Sequence, residues 1–352
     1  MCKSSFLPLE DLPDEILLNV FSWLDIKEVL QCGQVSRRLR AISNDQSLWS
    51  KLNIFQREIP YDFIEKAVQN GCDYLNLACS CVNGGKKSEV PWKLKYLEIS
   101  HYCDLVVGVS KGVLQNCHFL QKLAVGNVVI AAYDIEDICQ NGETLQILSL
   151  EGCNIDFYHR TELIEKLFTK CHQLTELSIT DHCGGSPSYM YGNNILMPPH
   201  VSALVDNLTP NILKLTLSSQ QCLQDEHVNT LVQKCNKIRE LDLHCTSMTN
   251  DSVKSIIKYL NCLEKLDVDH TDVDFATLLQ LKSIPTLKIL WCLRRDEDSE
   301  DLKNLKLQLP HIRINEEHLH IACSTKEVNG CIDPDWIWEI RAKELDLFPK
   351  AY

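Results

Sequence analysis

Eighteen cysteines and twelve histidines are the residues of this chain from which a reactive or metal-binding site could be assembled. A zinc site needs ligands at short, paired spacings so that four donors converge on one ion. Only Cys79-Ser80-Cys81 and the dipeptides Cys117-His118 and Cys171-His172 come near that pattern, and they do not form a pair of motifs. Covalent catalysis fares no better, since the chain has no Gly-x-Ser-x-Gly elbow, no glycine-rich phosphate loop and no Cys and His pair in a recognisable setting. No catalytic residue, no metal and no cofactor is therefore assigned. What remains is non-covalent chemistry. Glu240, Asp242, His244, Asp267 and Asp269 gather acid in one stretch, and Trp291 follows. Carboxylates beside a tryptophan suit a basic, partly apolar protein partner, because tryptophan is the residue type most enriched in binding hot spots.

Those residues are positioned by a recurring phrase: apolar, two spacers, apolar, one spacer, apolar. It starts at Trp49, Cys72, Leu94, Leu120, Leu145, Leu174, Ile212, Ile238, Leu263, Leu287 and Leu309, so successive starts lie 22 to 29 residues apart, except for 38 between Leu174 and Ile212. That period is the span of a leucine-rich repeat, in which a short strand alternates with a helix. No unit of this size buries its own apolar side, so the units must stack into one solenoid. The expected class is α/β, a horseshoe with its parallel sheet on the concave face. Strand alternation sends the phrase's apolar residues inward and those between them outward. The outward set at the C-terminal end is Glu240, Asp242 and His244, then Lys265, Asp267 and Asp269, then Ile289, Trp291 and Leu293, which predicts an acidic shelf beside an apolar patch.

The formal net charge of −13 argues against a nucleic-acid backbone as ligand, and the basic pairs Arg37-Arg38 and Lys86-Lys87 are too short for a phosphate-tracking stripe. No apolar run reaches membrane-spanning length and the first residues lack a signal-peptide core, so nucleus or cytoplasm is expected, with no membrane partner. Thiols stay reduced there. The cysteines fit repeat grammar instead. Cys117, Cys171 and Cys235 each stand three residues before a phrase, and Cys153, Cys183 and Cys245 fall just after a strand, at crowded corners where a small apolar side chain packs well.

Residues 7–53 break the repeat rule. Pro13-Asp14-Glu15 opens a helix that carries Ile16, Leu17, Val20, Phe21 and Leu24 on one side. Asp25 with Glu28 predicts a capped second helix bearing Val29 and Leu30, and a third helix follows around Val35-Ser36-Arg37-Arg38-Leu39. So short a module cannot be stable alone, and its apolar residues outnumber what capping the solenoid requires.

Leu12-Pro13-Asp14-Glu15-Ile16-Leu17, Val20-Phe21-Ser22-Trp23-Leu24, Val35-Ser36-Arg37-Arg38-Leu39 and Ser47-Leu48-Trp49 together resemble an F-box. Leu39 stands where that family often has an aromatic. Ile284-Pro285-Thr286-Leu287-Lys288, Leu309-Pro310-His311-Ile312-Arg313-Ile314-Asn315 and Ile337-Trp338 are similar to the end of the F-box/leucine-rich-repeat family, in its S-phase kinase-associated branch. The resemblance implies a three-helix F-box over 7–53, leucine-rich repeats over 54–315 and a tail over 316–352 folding back along the concave face. It also implies a non-enzymatic substrate receptor of a cullin-RING ubiquitin ligase. Its F-box would bind the Skp-type adaptor through Leu12, Pro13, Ile16, Leu17, Phe21, Leu24, Val29, Leu30 and Val35. Its repeats would bind a protein substrate, with a phosphorylated cell-cycle regulator as the type and a small cyclin-kinase accessory subunit as a further partner. The alternative is a repeat scaffold that blocks one protein without ubiquitin transfer. The long interval contains Gly184 through Asn194, which reads as a loop available for contact.

Overall fold

The computed structural model describes residues 12–54, 57–100, 106–107, 112–126, 128–155, 161–180, 196, 198–292 and 300–316, with two short strand pieces at 327–328 and 331–332. The chain divides into two compact units. The first runs to Glu98 and includes Ser110–Leu120, and the second takes Ile99–Val109 and the chain from Gln121 onward.

The first unit begins with four short helices, α1 (Asp14–Phe21), α2 (Ile26–Cys32), α3 (Arg37–Ser43) and the single turn α4 (Gln46–Trp49). The Asp25 carboxylate accepts from the Glu28 amide and the Glu28 side chain accepts from the Asp25 amide, the predicted reciprocal cap. Ser36 caps α3 by accepting from Leu39 N–H. α4 lies beyond the three predicted helices; Asp45 starts it by accepting from the Ser47 amide and hydroxyl. Strands β1 (Lys51–Asn53), β2 (Tyr74–Asn76) and β3 (Tyr96–Ser100) then pair in parallel in chain order, with α5 (Tyr61–Gln69) between the first two.

The second unit carries a ladder of eight strands: β4 (Lys122–Gly126), β5 (Ile147–Glu151), β6 (Glu176–Ser178), β7 (Lys214–Thr216), β8 (Glu240–Asp242), β9 (Lys265–Asp267), β10 (Ile289–Trp291) and β11 (Arg313–Ile314). Each pairs in parallel with the next. Helices α6 (Ala132–Cys139), α7 (Thr161–Lys170), α8 (Pro198–Asn207), α9 (Asp225–Lys234), α10 (Asn250–Tyr259), α11 (Phe275–Leu278) and α12 (Glu300–Gln308) return the chain between strands. This is the α/β leucine-rich-repeat architecture. The first ten phrases each start two residues before a strand, and the central leucines Leu177, Leu215, Leu241, Leu266 and Leu290 are buried.

The eleventh phrase departs from its spacing. Leu290 pairs with Ile314 rather than with Ile312, so the strand lies two residues later than Leu309-x-x-Ile312 implies. The cause is local: α12 runs to Gln308 and the Leu309 amide still donates to Leu305, which leaves Pro310 and His311 to make the turn.

After the strands the chain turns through left-handed backbone at one repeated position, occupied by Cys79, Gly152, Ser219, Cys245 and His270. A non-glycine residue there carries strain, tolerated because the flanking ladder holds it. Behind the sheet, polar caps link successive helices. Asp225 at the start of α9 accepts from the amide and hydroxyl of Thr249 and from those of Ser252, at the start of α10. Asn250 and Asp274 repeat the link to α11. Burial acts to raise the Asp225 carboxyl, but hydrogen bonds from Ser252 and Thr249 outweigh it and hold the group below the ordinary aspartate range. Asp225→Ala is expected to cost about 2 kcal/mol at neutral pH, the loss of charge-assisted bonds to two amides. A group whose pKa is depressed on folding stabilises above its unfolded pKa and loses that contribution as pH falls through the folded value. The gap between the urea unfolding curves of the two proteins should therefore close below about pH 4; a gap that widened in acid would refute the assignment.

Candidate functional site

Two surfaces follow from this arrangement, one in each unit. In the helical module Leu17, Phe21, Val29, Leu39 and Ile42 form the core, with Leu12, Leu18, Leu24, Ile26, Cys32 and Leu48 packed against it. Arg38 ties α3 to the start of α1 by donating to the Asp14 carboxylate and to the Leu12 carbonyl. Leu39, the departure from the family pattern, is buried in that core.

Three of the nine adaptor-binding positions inferred from sequence are therefore corrected. Leu17, Phe21 and Val29 are buried in their own module and offer no surface to a partner. Their spacing marks an inward helical face, which sequence alone cannot tell from a docking face. Leu12, Leu24 and Leu30 are half-buried, and Pro13, Ile16 and Val35 are exposed. Within this module the large apolar side chains left in solvent are Trp23 at 85% exposure, Val35 at 74%, Ile16 at 48% and Val20 at 42%. Trp23 and Val20 were not among the nine. The available signal was a tryptophan at a helix end, off the stripe of Leu17 and Phe21. Its indole N–H donates to the Asn19 side chain, which fixes the ring while leaving its faces open.

On the ladder, strand parity holds from β6 to β10, but the expected acidic shelf does not take the form its sequence suggests. Parallel register sets Glu176 opposite Lys214 and Glu240 opposite Lys265, and the pairs lie 3.7 and 3.1 Å apart. Glu240 is thus matched by its neighbour and is not part of an uncompensated patch. One step along, Asp242 faces Asp267, and Asp267 faces Trp291. Asp267 and Asp269 are only 1% and 4% exposed and His244 only 3%, so this acid is buried rather than solvent-facing. Parity tells which side a residue points to, not whether that side is covered. Asp242 and Asp267 each accept from the amide two residues on, turns that end the strands. His244 Nδ1 lies 3.1 Å from Asp242 Oδ1. Trp291 is half-buried. Leu293, the 184–194 loop and the aromatic and basic tail residues around Trp336, Trp338 and Arg341 lie outside the described residues.

Among the described corner thiols, Cys245 is half-buried and the others are buried. Cys117, Cys153, Cys171 and Cys235 are buried, and Cys117, Cys153 and Cys235 donate to the carbonyls of Val113, Val125 and Thr209. Burial pushes the thiols of Cys171 and Cys292 up to about 12 and that of Cys235 to about 11, so they stay protonated and unreactive at neutral pH. Cys183 lies outside the described residues. The basic pairs also find partners: Arg38 bridges to Asp14 and Lys86 to Glu65 at 3.2 Å.

A helical module with an apolar surface, joined to parallel strand–helix repeats, defines an F-box/leucine-rich-repeat protein. Residues 9–54 match the F-box-like family and residues 62–345 match the SKP2 LRR domain family. The second match covers most of the chain, and the protein belongs to that SKP2-type family. Among curated relatives, the chain is 45% identical over 51 residues to F-box protein dre-1 of Caenorhabditis elegans, which is 14% of this chain and 5% of that protein. It is 44% identical over 46 residues to the ubiquitin ligase complex F-box protein UFO1 of Saccharomyces cerevisiae, 13% of this chain and 7% of that one. F-box only protein 36 of Pongo abelii is 35% identical over 52 residues, 15% of this chain and 28% of the relative. The chain thus spans only a small part of the length of these relatives. Among the described residues, no helix is long and apolar enough to cross a membrane.

Proposed function

We propose that this chain is the substrate-recognition subunit of an SCF-type cullin-RING ubiquitin ligase, itself non-catalytic, working in the nucleus or cytoplasm. The observation that carries the reading is the exposed Trp23, Val35, Ile16 and Val20 on a module that matches the F-box family. Apolar surface of that kind favours a protein partner, and in this family the partner is the Skp-type adaptor. The F-box is taken as 7–53, the repeats as 54–315 and the tail as 316–352. The adaptor is held by the exposed and half-buried members of the sequence-derived set, Leu12, Pro13, Ile16, Leu24, Leu30 and Val35, together with Trp23 and Val20. Substrate is held on the ladder face where Asp242 and Trp291 are half-buried, with His244, Asp267 and Asp269 buried beside them as its support. By family resemblance the substrate class is a phosphorylated cell-cycle regulator, with a small cyclin-kinase subunit assisting. Chemistry belongs to the conjugating enzyme, and this chain contributes proximity, raising the effective concentration of substrate lysine.

The rival is a scaffold that binds and blocks one protein. Cells expressing the wild type and an adaptor-blind F-box variant distinguish the two. A bound protein whose half-life shortens only with the wild type supports the receptor. Bound proteins whose half-lives never change support the scaffold. For a partner so identified, Asp242→Asn is expected to lower the association rate and flatten its salt dependence; an unchanged rate would remove this strand end from the substrate face.

A further inference from the structure

We propose that the edge of the second unit where helices end and strands begin, over β8 to β11, is a docking surface for an acidic, extended segment of a protein partner. The inference does not depend on the receptor reading. In four successive repeats the chain passes from the last helical turn to the strand through residues 232–239, 257–264, 281–288 and 306–312. Those stretches hold seven lysines and arginines and a single acid, Glu264, in a chain whose formal net charge is −13. The connections at the opposite edge, 217–225, 243–251 and 268–275, hold five aspartates and no lysine or arginine. The two edges of these repeats are therefore of opposite sign.

Helix dipoles explain part of this asymmetry. A cation in the last turn of a helix is stabilised by the negative end of the dipole, which accounts for Lys234 in α9, Lys258 in α10, Lys282 in the 3-10 turn after α11 and Lys306 in α12. It does not account for Lys237, Arg239 and Lys288, which follow the helices. The Glu264 amide donates to the Arg239 carbonyl and the Lys288 amide to the Glu264 carbonyl, so these three residues stand side by side on neighbouring strands. Arg239 lies 3.6 Å from the Glu264 carboxylate, which Lys288 also bridges, so the one acid is shared between two cations. Lys234 and Lys237 bond neutral oxygens, those of the Asp206 carbonyl and the Asn211 side chain, which leave their charge uncompensated. Lys258, Lys282 and Lys306 are exposed. Like charges on neighbouring repeats repel, and anionic groups laid between them relieve that repulsion. Strands about 4.8 Å apart and helices about 8–10 Å apart make the stripe roughly 15–30 Å long, the reach of about five to nine extended residues. Leu307, 77% exposed beside Lys306, and the half-buried Tyr259, whose ring centroid lies 4.7 Å from Lys258 Nζ, add apolar contact that suits a peptide. A nucleic acid running past the ends of so short a stripe would meet the acidic remainder of the chain.

The probes are a fluorescein-labelled, glutamate-rich peptide of about ten residues with leucines interspersed, and single-stranded DNA of the same length and charge. Each is titrated with the full-length protein, and binding is read by fluorescence anisotropy at rising salt. The peptide is expected to bind with an affinity that falls as salt screens the contact. Lys237→Glu with Lys288→Glu should weaken it at least about tenfold. Lys254→Glu with Lys303→Glu, an equal change of charge at exposed positions on helices of the same repeats, should leave it within about twofold. Circular dichroism identifies any variant that fails to fold. Lys258→Gln with Lys282→Gln, which only neutralises, serves if the first reversal is lost, and should weaken binding about threefold. No binding of the peptide, equal loss in the edge and control variants, or tighter binding of the DNA would overturn the proposal. Adaptor capture measured on the same samples, expected to stay at the parental level, keeps this outcome separate from the receptor reading.

Discussion

Trp49→Ala is expected to unfold the first unit under conditions where the parent is stable. Trp49 is fully buried, its indole N–H donates to the Ser43 carbonyl at 2.8 Å, and its ring lies 6.0 Å from that of Phe63. It is at once the last residue of α4 and the first apolar residue of the first repeat phrase, so one side chain serves both the helical module and the strand that follows. Truncating a buried tryptophan costs about 3–5 kcal/mol. Leaving the Ser43 carbonyl unpaired adds about 1–3 kcal/mol. A whole domain has only about 5–15 kcal/mol to lose. Trp49→Phe, which keeps most of the apolar volume and loses the hydrogen bond, should fall between the two. Urea unfolding followed by far-ultraviolet circular dichroism, with limited proteolysis to show which unit opens, reads the effect. A Trp49→Ala protein within about 1 kcal/mol of the parent would mean that this residue does not join module to repeats.

What the sequence made legible was whatever depends on period and on local caps. The phrase Leu263-x-x-Leu266-x-Val268 marks a strand because only an extended chain puts the second and third apolar residues on one side, and β9 begins two residues after Leu263 as the phrase implies. Asp25 and Glu28 announced their helix because a reciprocal cap needs only four neighbouring residues. The last strand was misplaced because α12 extends to Gln308 and shifts the turn, an effect of helix length that the apolar spacing of Leu309 and Ile312 does not carry.

The site was less legible than the fold. Register with Lys265 neutralises Glu240, and register is a property of two strands, not of one. The burial of Asp267 and Asp269 depends on what covers the face, which parity does not report. In the F-box module, helical spacing joined Leu17 and Phe21 to Ile16 as one apolar group, whereas packing turned the first two inward and left Ile16, Val20 and Trp23 outside.

The receptor account is tested most directly by mixing the purified chain with a Skp-type adaptor and measuring mass by light scattering after size exclusion. The expected result is a stable equimolar complex. Ile16→Glu with Val35→Asp, two changes at exposed positions, should abolish it while leaving the circular dichroism and melting curve of the chain as they are. Each change places a charge in an apolar contact, and losing hot-spot residues costs about 2 kcal/mol or more apiece, enough in sum for roughly a thousandfold loss of affinity. Failure of the unaltered chain to bind any Skp-type adaptor, or capture by the double variant at the parental level, would contradict the account.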